Sequence, residues 1–171
     1  MQNKSRVLKI CRVGLFAALL ALGAWIAIPF PVPITLQTFV LFLVAGTLPL
    51  VQALSSVAVY LGIGLVGLPV FAGFGAGIGT FLGPTGGFLL GFLPAVLLFS
   101  LSCDKKQSFL WQAMSACVSL VLIYSCGAVW YTLVYGGKGV IGACILPFFP
   151  ADAIKIAIAL PLARRLKRHI R

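Results

Sequence analysis

Of the 171 residues, 61% are apolar and 9% are charged, and the formal net charge is +11. So little charge cannot solvate the surface of a soluble domain of this length, and the charges stand in clusters at the ends of apolar stretches. That placement excludes a nucleic-acid footprint, because the basic residues lie where membrane-spanning helices meet lipid headgroups.

No Asp, Glu, Lys, Arg or His occurs between Val13 and Cys103. That run is several times the ~20 residues one spanning helix needs, so the chain must fold back repeatedly within the bilayer. Proline, glycine and charge punctuate it, and they predict an all-α integral membrane protein with six transmembrane helices. The spans fall at 8–28, 36–48, 51–67, 86–103, 109–134 and 151–168, within one membrane-embedded domain covering 1–171.

The first span follows Lys4, Arg6, Lys9 and Arg12. A basic start and Ala21-Leu22-Gly23 imitate a secretory signal, but the apolar length suits a retained helix. Ala17 and Ala21 form a small-x-x-x-small pair that serves either internal packing or a partner's helix. Pro29, Pro31 and Pro33 then exclude a continuing helix. Thr35, Gln37 and Thr38 offer uncharged donors and acceptors at the head of the second span, either as caps or as ligand contacts.

Pro49 leads into the third span, which ends at Gly67-Leu68-Pro69. In the segment after it, Gly73, Phe74, Gly75 and Gly77 stand among further glycines, and residues without a Cβ let backbone approach a ligand closely. Irregular backbone at membrane depth must be buried in protein or line a cavity, which favours a pocket lid here. Gly83, Gly87 and Gly91 carry the small-residue spacing into the fourth span. Asp104-Lys105-Lys106 separates it from the fifth, and the stretch Gly136 to Pro150 introduces the sixth.

Asp152 and Lys155 are ionisable groups three positions apart in an apolar helix, where each is expensive unless paired or wet. They form either a structural lock or a ligand cradle in which Lys155 meets an anionic group and Asp152 orients it. With both termini cytoplasmic, the inner side receives Lys4, Arg6, Lys9, Arg12, Lys105, Lys106, Arg164, Arg165, Lys167, Arg168 and Arg171, leaving only Lys138 and Lys155 of the 13 basic residues elsewhere. The proline-rich, glycine-rich and 136–150 segments then share the outer side.

Catalytic parts are lacking. The one histidine, His169, sits in the basic tail, and Asp152 is the one acid within a span. The five cysteines include no C-x-x-C pair, and no metal-ligand set or G-x-x-x-x-G-K-[ST] motif occurs. Neither enzyme activity, a metal nor a cofactor is expected, and powered uptake would need energy from a partner or an ion gradient.

Four segments together resemble the BioY family of biotin-capturing S components of energy-coupling-factor transporters: Val32-Pro-Ile-Thr-Leu-Gln-Thr38, Gly67-Leu-Pro-Val-Phe-Ala-Gly73, Leu82-Gly-Pro-Thr-Gly-Gly-Phe88-Leu-Leu-Gly-Phe92, and Leu146-Pro-Phe-Phe-Pro-Ala-Asp152 with Lys155. The resemblance implies biotin binding at the outer face of the bacterial cytoplasmic membrane. It also implies association with a membrane-spanning coupling protein and two cytosolic ATPases. By the same resemblance Ala17 and Ala21 match the surface that contacts the coupling protein, and Asp152 and Lys155 match the ligand-contacting pair. Phe88 stands where the family usually has Tyr, which removes a hydroxyl and keeps an aromatic wall. Chemically, the biotin carboxylate suits Lys155, the ureido ring suits Gln37 and glycine-loop backbone, and the thioether ring suits Phe74 or Phe88. Residue type also admits another small anionic vitamin, or a structural membrane protein or assembly factor in which Asp152 and Lys155 only lock a helix.

Overall fold

The computed structural model describes residues 2–30, 32–104, 108–136 and 140–170. Among them three helices are long and apolar enough to cross a membrane, Lys4–Trp25, Gly86–Cys103 and Phe109–Tyr135. Lys105, Lys106, Lys138 and Arg171, four of the positions in the charge-based topology, lie outside the described residues.

Helix α1 spans Gln2–Trp25 and holds no proline to interrupt its ladder. It starts earlier than residue 8 because basic side chains can continue a helix beyond its apolar stretch. Past Trp25 the chain enters a short antiparallel ribbon, β1 (Ala27–Ile28) and β2 (Ile34–Thr35), with Ala27 opposite Thr35. This ribbon departs from a strictly all-α fold, and Pro29 and Pro33, which cannot donate to a ladder, lie in its connection.

Helix α2 (Gln37–Thr47) has 11 residues and rises only about 16 Å. The ribbon and its loop complete that column at one end. Helix α3 (Leu50–Leu65) follows Pro49, whose carbonyl accepts from Ala53 N–H at 2.9 Å. A tight turn at Ala72–Phe74 and the short α4 (Gly77–Leu82) occupy the glycine-dense stretch.

Helix α5 (Gly86–Asp104) and helix α6 (Phe109–Tyr135) form a close pair. Ser108 caps α6 by accepting from Trp111 N–H, and Gly136 ends it at φ +82°, a conformation that favours glycine. After α7 (Val140–Cys144), helix α8 runs Phe148–Ile170. Pro150 sits in its first turn, where no ladder bond is lost.

Helix α2 runs beside α8 in the same direction: Thr38 meets Asp152 near their starts, and a Cβ at Gly46 would come 2.8 Å from Ala163 Cβ near their ends. At that second end Ser100 Oγ donates to Ala45 O (2.9 Å), Arg164 Nε to Gln112 Oε1 (2.7 Å) and Lys167 Nζ to Cys103 O (2.5 Å). The close of α2, α5 and α8 and the start of α6 therefore share one pole, rich in basic residues. At the opposite pole Trp25 Nε1 donates to Pro69 O (2.9 Å), beside the ribbon. Leu20, Leu41, Val44, Val57 and Phe99 fill the core between. Val7, Leu15, Leu97, Val121 and Ile158 point outward, as lipid-facing side chains do.

Candidate ligand-binding site

At the pole away from the basic ends, α2, α5, α6 and α8 leave a cavity that opens at its mouth, the two together enclosing about 540 Å³ of empty space with open solvent included. Its walls are apolar, built from rings such as Phe71, Phe88, Phe92 and Phe148 with Val32, Leu89 and Ile123. Phe88 stacks on Phe148 with centroids 5.9 Å apart, and Tyr124 tilts against Phe148 at 6.4 Å.

A polar cluster interrupts that wall. Asp152 is fully buried, and its carboxylate accepts from Lys155 Nζ and Thr38 Oγ1 on one oxygen and from Tyr124 Oη on the other, each at 2.7 Å. Lys155 Nζ also donates to Thr35 O at 2.7 Å and to Thr38 Oγ1 at 3.4 Å. All three ammonium hydrogens thus have partners within the protein. A buried ion pair survives only when its remaining lone pairs and protons are satisfied, and this one is. The pair brings no net charge into the cavity.

A second chain of hydrogen bonds leads outward. Thr35 Oγ1 donates to Gln37 Oε1 (3.3 Å), Gln37 Nε2 donates to Tyr60 Oη, and Tyr60 Oη donates to Val70 O (3.2 Å). The 66–76 segment is thereby tied to side chains at the cavity.

Of the residues singled out in the sequence, Thr35, Gln37, Thr38, Phe88, Asp152 and Lys155 come together around this cavity. Gly73, Phe74, Gly75 and Gly77 do not line it. Two successive left-handed residues, Gly73 (φ +63°) and Phe74 (φ +60°), reverse the chain there, so that Phe71 and Ala72 face inward while the Phe74 ring lies 5.3 Å from Trp25, 63% exposed. Ala17 and Ala21 are also placed otherwise than a docking surface requires. They are 2% and 6% exposed, in an α1 packed along α3 and α2, while Gly14 and Ala18 occupy its open face.

Tyr124 and Phe148 escaped the sequence reading. For Tyr124, a tyrosine near the middle of an apolar span was the available signal, since a buried hydroxyl there must find a partner. Among the described residues no group of three potential His, Cys, Asp or Glu metal ligands occurs.

The family model for BioY matches residues 1–171. The chain belongs to the BioY family. It is 40% identical over 162 residues to the biotin transporter BioY of Thermotoga maritima, covering 94% of this chain and 96% of that one. It is 34% identical over 160 residues to the probable biotin transporter BioY of Pyrococcus horikoshii, covering 93% and 96%. In three dimensions it is similar to the S-component for biotin from an ECF-type ABC transporter, with a TM-score of 0.88 and 26% identity over 98% of this chain and 95% of that one. For this BioY chain, family membership and several apolar helices place it in the cytoplasmic membrane as a multi-pass protein.

Proposed function

We propose that this chain is a biotin-capturing S component, which binds the vitamin at the outer face of the cytoplasmic membrane and passes it inward without catalysing a reaction. The relatives named as biotin transporters and the likeness to a biotin S-component support the substrate. The observation that carries the reading is the buried Asp152–Lys155 pair at an apolar-walled cavity, opposite the basic pole. Six spans, formed by α1, α2, α3, α5, α6 and α8 with both termini cytoplasmic, put that cavity outside and the basic helix ends inside. No nucleotide-binding motif occurs in the sequence, and the likeness to an S-component of an ECF-type ABC transporter supports a coupling protein and two cytosolic ATPases as the source of energy for uptake.

The geometry favours a different orientation of biotin from the one residue types suggest. Lys155 is already neutralised by Asp152, so a carboxylate arriving there would bury an uncompensated negative charge. The neutral ureido ring adds no charge to a cluster whose own charges already cancel, and its N–H groups suit the acceptor capacity left on the Asp152 carboxylate, which takes three protein donors. In this reading the ureido ring meets Asp152, Lys155, Thr38 and Tyr124, the thioether ring rests between Phe71 and Phe88, and the carboxylate points to the mouth.

The test is uptake. Cells without their own biotin transporter should accumulate labelled biotin when this chain is expressed with a coupling module. Accumulation no greater than in cells carrying the module alone would overturn the transport reading.

A further inference from the structure

Two of the rings that wall the cavity rest in notches left by glycines that do not themselves line it. On α6, a Cβ at Gly127 would stand 2.4–2.5 Å from three ring carbons of Phe88. On α3, a Cβ at Gly64 would stand 2.1–2.6 Å from three ring carbons of Phe71. Neither glycine has a positive φ, and both lie inside helices, where alanine is the better helix former. Space, not backbone freedom, is what their missing side chains supply.

Carbon atoms in contact rest about 3.5–4.0 Å apart, so a methyl group at position 127 requires the Phe88 ring to retreat by about 1 Å. Parting α5 from α6 is a poor alternative. A Cβ at Gly87 would already stand 3.0 Å from Gly127 Cα, and one at Gly91 3.1 Å from Ile123 Cα, so these backbones pack directly on each other. Phe148 stacks against the ring on another side, and the open space left is the cavity. Phe71 is held similarly, edge-on to Tyr60 at 5.5 Å and Phe81 at 5.4 Å.

We propose that Gly127 and Gly64 are specificity-determining positions that set the width of the cavity. They seat Phe88 and Phe71 back from the ligand space, and so decide whether a fused two-ring ligand fits. This rests on the biotin reading above, and the two can fail separately.

The experiment is a double-mutant cycle on the purified full chain with Gly127→Ala, Phe88→Leu and the combination, read both as labelled-biotin affinity and as thermal midpoint without ligand. Gly127→Ala should weaken biotin binding at least tenfold alone and less than threefold in the Phe88→Leu background, and the midpoint should show the same relief. Equal losses in both backgrounds, or a Gly127→Ala protein that binds as tightly as the unsubstituted chain, would overturn the notch. Relief in the midpoint with no biotin bound by any variant would support the notch and sink the vitamin assignment instead.

Discussion

At the scale of single residues, the proposed site turns on how Asp152 is held. Its carboxylate has three protein donors from three helices, and Lys155 contributes the compensating charge. Replacing Lys155 by Met strands a buried anion, a change that destabilises by about 3–5 kcal/mol when one partner of a buried pair is removed. Lys155→Met should therefore lower the thermal midpoint and weaken biotin binding at least tenfold. Adding Asp152→Asn should recover most of the midpoint and none of the binding. A double variant that binds biotin normally would show that the pair is only a helix lock. If the ureido ring docks at this cluster, biotin amide should bind within about threefold of biotin, a difference of about 0.7 kcal/mol. Loss of the amide by tenfold or more would instead place the carboxylate on Lys155. The pair itself was legible in the sequence because charge inside an apolar helix demands an explanation. That Lys155 is already saturated was not, since its partners Thr35 and Thr38 lie on another part of the chain.

Among the elements, the long helices could be read from proline, glycine and charge because those residues act locally on the backbone. Helix α6 extends one residue beyond the expected 134, and α5 one beyond 103. The glycine-dense stretch was not legible in the same way. Its left-handed pair at Gly73 and Phe74 decides which ring faces the cavity, and Phe71 is selected by the notch at Gly64, a tertiary feature. Helix α1 gives a parallel case, where spacing found a small-residue pair but could not say which face packs internally. The structure places Ala17 inside and Ala18 on the open face. Ala17→Leu should overpack the α1 interface and destabilise by about 1–3 kcal/mol, lowering biotin binding and uptake together. Ala18→Leu should leave binding unchanged and, if the coupling protein packs there, reduce uptake alone. Paired binding and uptake assays separate these outcomes, and the reverse pattern would mean that Ala17 is the docking residue after all.

For the whole molecule, the arrangement is polar in the sense of having two different ends. One end gathers the close of α2, α5 and α8 with Arg164 and Lys167, and the other holds the cavity, the ribbon and the tie from Trp25 to Pro69. By the positive-inside rule a cavity opposite the basic end would face outward, as the proposed capture of biotin needs. The measurement that tests this account most directly is an equilibrium titration of labelled biotin into the purified full chain, with unlabelled biotin and other small anionic vitamins as competitors. Saturable binding of one biotin per chain, displaced by biotin and not by the other vitamins, is the expected result. Displacement by another vitamin in preference to biotin, or no saturable binding by a folded protein, would contradict it.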